Sequence, residues 1–201
     1  MRQTLRFQQR EAARAAILDA AEDLIAEKGL HGAALVEIAK RAGVAVGTLY
    51  NYFADRDDLV RALFDSRRAI VRPLVLAAIA SARDLPFELR MRRLVRDTLA
   101  AYERFRQFLK VAFEAEHLRP PGNTSADDLE AAIADAIADG VVQGEIAAGP
   151  SAELVAFAVL GTMKKLILRR VNDGRPFADS ADDIVTLVLD GARALHRGKT
   201  S

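Results

Sequence analysis

The chain of 201 residues contains no cysteine and no tryptophan. Without cysteine there are no disulfides, no thiolate-bound zinc, no iron–sulfur cluster and no cysteine nucleophile. Such a sequence suits a reducing compartment, and a cytoplasmic location is the expectation. Long apolar runs are missing too. The longest candidate, residues 70–80, is interrupted by Arg72 and Pro73, whereas a membrane span needs about 18 apolar residues in a row. No apolar stretch follows the first arginines, so no secretory signal is read there. No membrane partner is expected. An excess of one charge is also absent: 29 basic residues face 28 acidic ones, a formal net charge of +1. Any attraction for a polyanion must come from a local cluster.

Signatures of catalysis are absent as well. There is no phosphate loop, dinucleotide fingerprint or nucleophile elbow. Of three histidines, His117 stands in Glu114-Ala-Glu-His117, a Glu-x-x-His spacing that di-metal helical bundles use. Such a site needs a second copy, and neither His31 nor His196 supplies one. No enzyme, metal or cofactor is expected.

What the sequence does contain is helical periodicity over nearly its whole length, and an all-α fold follows. A first helix is expected over residues 8–28, with Ile17, Ala21, Leu24 and Ile25 on one face and Gly29 as its stop. Two short helices follow, over 35–42 and 46–53, separated by Ala42-Gly43-Val44-Ala45. Asp55 is placed to cap a fourth helix carrying Leu59, Leu63 and Ile70, which should bend or restart at Pro73. Pro86 opens a helix to about 102 that carries Leu89, Leu94 and Leu99. Another spans 105–118, and Arg119-Pro120-Pro121-Gly122-Asn123 is a loop. Ser125 caps a helix to 142; Gly144, Gly149 and Pro150 break the chain. Ser151 starts a long helix to 171, and Ser180 starts the last one, to 196.

Helices 35–42 and 46–53 are each too short to be stable alone. Joined by a glycine turn they have the proportions of a helix-turn-helix. Thr48, Tyr50, Asn51 and Tyr52 face outward, with hydroxyl and amide groups that bond phosphates and base edges. Lys40, Arg41 and Arg56 flank them as phosphate neutralisers. Arg2, Arg6, Arg10 and Arg14 recur every four residues and would add a basic row if helical.

Ile17-x-x-Ala20-Ala21, Gly29-Leu30, Glu37-Ile38-Ala39, Arg41-Ala42-Gly43-Val44 and Gly47-Thr48-Leu49-Tyr50-Asn51-Tyr52-Phe53 together resemble the N-terminal domain of TetR-family repressors. Arg56-Asp57-Asp58-Leu59 is similar to the opening of that family's fourth helix. The resemblance covers about the first third of the chain. It implies a three-helix DNA-binding domain over residues 1–55 and a helical effector-binding and dimerisation domain over 56–201. It implies a double-stranded palindromic operator as partner, and repression relieved by a small ligand. By position, Tyr50 and Tyr52 match phosphate contacts, Thr48 and Asn51 lie near base edges, and Gly47 brings the recognition helix close to DNA. Ala45 and Val46 complete the DNA-facing set, although the family often has serine and lysine there. Ala33 and Ala34 stand where a hydroxyl usually caps the second helix. An alternative role follows from these departures: a ligand- or protein-interaction module with weakened DNA binding.

In the remainder, Phe157, Leu160, Gly161, Lys164 and Leu168 share one helix face, and Ile184, Leu187, Val188, Gly191 and Leu195 share another. These are the expected homodimer surface, with the two glycines allowing close approach. Met91, Tyr102, Phe105, Phe108, Phe113 and Met163 are candidates to line an apolar pocket for an apolar or aromatic effector. His117, Arg169 and Arg170 are its candidate polar anchors.

Overall fold

The computed structural model describes residues 2–119, 125–145 and 152–197, with side chains described except at 2–5, 125 and 192–197. Among these residues there are nine α-helices, two short 3-10 segments and no strand: α1 (Arg2–Lys28), α2 (Leu35–Arg41), α3 (Val46–Tyr50), α4 (Arg56–Ala82), α5 (Phe87–Glu103), α6 (Arg106–Glu114), α7 (Ser125–Val142), α8 (Ala152–Arg170) and α9 (Ala181–Arg197). The expectation of an all-α protein holds.

Two compact units share the chain. Unit 1 comprises residues 1–67 and 107–121; unit 2 comprises 68–106 and 122–201. In unit 1, α1 packs against α2 and α2 against α3; Ile17, Leu18, Ala21, Leu24 and Ile25 of α1, Ile38 and Ala39 of α2, Leu49 of α3, and Leu59 and Leu63 of α4 are buried. Phe64 meets Phe108 of α6 edge to face, with ring centres 5.6 Å apart, the arrangement that ring quadrupoles favour. α1 stops at Gly29, whose φ of 79° suits only glycine without strain. The next amide, Leu30, donates to the Glu114 carboxylate at 2.7 Å.

Unit 2 packs α7 against α8, and α5 against α7 and α9. Its interior is apolar: Met91, Leu94, Val95 and Leu99 of α5, Ile133 of α7, Val159 and Met163 of α8, and Val185 of α9. Arg106 pins the connection between α8 and α9. It pairs with Glu103, donates to the carbonyls of Arg170 and Arg175, and lies 4.2 Å over the buried Phe177 ring. Glu103 in turn accepts from the Phe177 amide at 2.8 Å.

Several boundaries differ from expectation. α1 begins at Arg2 rather than near Gln8; the added segment carries Arg2, Gln3, Leu5 and Arg6, all good helix formers. α3 ends at Tyr50, with Asn51 as its C-cap. α4 runs as one helix through Pro73 instead of restarting; Pro73 is exposed, and only the carbonyl of Ala69 lacks its usual helical donor there. Ile70, expected inside, is 48% exposed, and Leu89 is exposed too. Pro86 is the N-cap of α5, so the helix starts at Phe87, one residue later than expected. The segment 105–118 divides into α6 and a 3-10 turn, Glu116–Leu118. Ser180 closes a 3-10 turn, after which α9 begins at Ala181. The capping role given to the Ser125 side chain, and the breaks or start at Gly149, Pro150 and Ser151, lie outside the described residues.

Candidate nucleic-acid interface

α2 and α3 meet at Gly43, whose φ of 69° turns the chain with nothing crowding it. Val44 is half-buried in the angle, and its amide returns to the Ala39 carbonyl at 3.0 Å. α3 is held by one fully buried residue, Leu49, and by Phe53 just beyond its end. That anchoring fixes which side looks outward. Tyr50 is 53% exposed; Gly47, Asn51 and Ala45 are exposed, and Val46, Thr48 and Tyr52 are half-buried. A Cβ added at Gly47 would meet no atom within 4 Å. The chain's own packing therefore does not demand glycine there, whereas a macromolecule lying on α3 would.

The basic groups divide into held and outward ones. Lys40 is exposed beside the turn. Arg41 is exposed but is held by a carboxylate of α1. Its guanidinium forks onto Glu27 of α1, with both bonds at 2.8 Å. This hydrogen-bonded pairing holds the Glu27 carboxyl below its ordinary range. A carboxylate fourteen residues back in sequence thus spends the charge locally. Lys28 and Glu37 make a second surface tie at 2.8 Å. Arg56, at the start of α4, is half-buried, and its Nε is buried without a hydrogen-bond partner.

The basic row on α1 is helical as expected, but part of it serves the fold. Arg10 lies 5.7 Å from the Tyr52 ring centre and Arg14 5.7 Å from that of Phe53. These cation–π contacts brace the end of α3 from α1. Arg6 is exposed, and the Arg2 side chain lies outside the described residues. Sequence reasoning missed this bracing; the four-residue spacing of the arginines was the available signal.

Both short helices lack a side-chain cap. Ala34 and Ala45 occupy the N-cap positions in extended conformation. Ala33 is buried and is not the cap. α4 is capped at both ends of a box: Asp55 accepts from the Asp58 amide at 2.8 Å, and Asp58 accepts from the Ala54 amide at 2.9 Å.

The candidate effector residues fall in different units. Met91, Tyr102, Phe105 and Met163 belong to unit 2, with Met91 and Met163 fully in its core; Phe108, Phe113 and His117 belong to unit 1. Two clefts open on unit 2, and neither is lined by these residues. One, of about 790 Å³, lies where Leu85 and Pro86 meet α7. The other, of about 390 Å³, lies between Ala-rich faces of α4 and α5. Arg169 is exposed, and Arg170 donates to the Pro176 carbonyl at 2.8 Å. Glu114 and His117 do not form a metal pair: Glu114 turns to Leu30 and His117 is exposed.

On α8, Phe157, Gly161, Lys164 and Leu168 are exposed and Leu160 is half-buried. On α9, Leu187 is 69% exposed, Gly191 is exposed and Val188 is half-buried. Ile184 is the exception. It is only 4% exposed, because helical spacing puts it beside Val185 and Leu189 on the face packed within unit 2. The Leu195 side chain lies outside the described residues.

The described residues are all-helical apart from turns, with an outward-facing helix-turn-helix in the N-terminal unit. Residues 17–63 match the family described as bacterial regulatory proteins, tetR family, and this segment is a TetR-family helix-turn-helix. The chain is 47% identical over 51 residues to the fatty acid metabolism regulator protein of Bacillus subtilis, covering 25% of this chain and 26% of that relative. The match thus spans about a quarter of the relative's length. Over the whole fold it is similar to the fatty acid degradation regulator FadR of Bacillus halodurans, with a TM-score of 0.73 at 23% identity, covering 90% of this chain and 96% of the other. It is also similar to FadR of Bacillus subtilis in complex with stearoyl-CoA, with a TM-score of 0.65 at 21% identity, covering 88% and 98%. The fold is that of TetR-family regulators.

Proposed function

We propose that this chain is a ligand-responsive transcriptional regulator, not an enzyme, that binds a palindromic operator as a homodimer and represses until an effector releases it. The observation that carries the reading is the exposed face of α3. Tyr50 and Asn51 point away from the protein beside an unfilled Gly47, while Leu49 and Phe53 fix the helix from behind. Lys40, Thr48, Tyr52, Arg56, Ala45 and Val46 complete the DNA-facing set. No described helix is long and apolar enough to cross a membrane, and the site of action is the cytoplasm.

Two copies are needed because a palindrome presents half-sites about 34–36 Å apart. The surface proposed for pairing is the exposed side of α8 and α9: Phe157, Leu160, Gly161, Lys164, Leu168, Leu187, Val188 and Gly191. A Cβ at Gly161 or Gly191 would meet nothing within 4 Å, which leaves room for close approach of a second copy. The first effectors to screen are apolar molecules carrying a long acyl chain, since a solved structure of similar fold holds stearoyl-CoA.

The test is selection of genomic DNA fragments by the purified chain at fixed salt. A palindrome should be enriched, and Tyr50→Ala should weaken its binding about tenfold or more without unfolding the chain. A well-folded wild type that enriches nothing would favour the second reading, an interaction module with weakened DNA binding. The uncapped N-termini at Ala34 and Ala45 are the observation behind that alternative.

A further inference from the structure

We infer that Thr98 is the polar anchor of a binding site on the inward face of α5, for an apolar small molecule bearing one carbonyl oxygen. The inference rests on the reading of unit 2 as the sensing unit. Thr98 is 0% exposed, and it is the one buried polar residue among the described positions. Its Oγ1 has no hydrogen-bond partner. Threonine in a helix ordinarily satisfies its hydroxyl on the carbonyl four residues back. Thr162 does so, donating to Ala158 at 2.7 Å. Thr98 does not, although its backbone is equally helical.

A buried hydroxyl without a partner is destabilising relative to valine, which has nearly the same shape. Nothing among the described residues completes it. The surroundings narrow the choice. Met91 lies seven residues before Thr98 and Tyr102 four after, so the three share one face of α5. Leu94 and Val95 flank them, and Met91, Leu94 and Val95 are buried. Methionine is unbranched and can repack around a guest. A face with one oxygen among hydrocarbon suits a largely apolar molecule with a single acceptor, to which the Thr98 hydroxyl donates. A charged or polyhydroxylated ligand would leave its other polar groups unpaired.

The probes are acetophenone and α-methylstyrene, which differ only in carrying C=O or C=CH2. Their binding to the full chain is read by NMR shifts and by thermal shift. Wild type and Thr98→Ser should bind acetophenone about tenfold more tightly than its isostere. Thr98→Val should lose that preference while melting at or above the wild-type temperature. Equal binding of the two probes to wild type, binding of neither, or a preference that persists in Thr98→Val would each overturn the assignment. A Thr98→Val chain that fails to fold would overturn it as well, since the hydroxyl would then be structural. None of these readouts involves DNA, so an absence of operator binding would sink the regulator reading alone.

Discussion

Ala34 and Ala45 begin the two short helices with nothing to offer the free backbone N–H groups. Both residues are exposed, so a hydroxyl has room. Ala45→Ser should raise the stability of the chain by about 1 kcal/mol, the ordinary worth of an N-cap. Urea unfolding would show a higher midpoint at unchanged slope; an unchanged midpoint would mean that α3 is already ordered by Leu49 and Phe53 alone. The residue scale is also where the sequence misleads most. Arg41 reads as a free cation until Glu27 is seen to accept from both of its Nη atoms. Ile184 reads as part of an outward stripe until α9 is seen to rotate it inward. Pairing and rotation depend on which element lies alongside, and local pattern carries neither.

At the level of elements, most of the architecture is legible. Gly29 and Gly43 announce their turns because only glycine takes those left-handed conformations readily, and Asp55 with Asp58 announces the start of α4. The exposed side of α3 follows from Leu49 and Phe53 alone. The continuity of α4 through Pro73 is not legible, since local chemistry cannot say whether neighbours hold a helix together past a lost hydrogen bond. Further along, Arg72 binds Asp128 in the first turn of α7 through Nε at 2.6 Å and Nη2 at 2.9 Å. These bonds hold the Asp128 carboxyl below its ordinary range. A depressed carboxylate stabilises the fold above its unfolded-state pKa and loses that contribution as pH falls through the lower folded-state value. Asp128→Asn should therefore lower the melting temperature at neutral pH, and the difference from wild type should shrink as pH falls below the ordinary Asp value of about 4. A difference independent of pH would show that the clamp acts through shape rather than charge.

For the molecule as a whole, near neutrality is compatible with the proposed DNA binding because charge is sorted locally. Carboxylates on α1 and α2 occupy Arg41 and Lys28, so few cations remain on the α3 side and the salt dependence of operator binding should be shallow for its class. In the proposed dimer, assembly would supply what one copy lacks. A charge placed in the exposed stripe, as in Phe157→Glu with Leu187→Asp, should weaken dimerisation on the order of a hundredfold. Sedimentation would then show single chains, still folded, with operator affinity reduced in step. A dimer that survives both changes would place the pairing surface elsewhere.

The contact between Leu30 and Glu114 carries a consequence for how the protein is made. The unit that holds α2 and α3 is not finished when the ribosome has delivered its first 67 residues, for Phe108 and Glu114 belong to it as well. At about 5–20 residues per second, the nascent helix-turn-helix waits several seconds for α6, its edge still open, while the intervening helix α5 emerges. The two units are thus interleaved in time as well as in sequence. The N-terminal one cannot be completed as an independent first product.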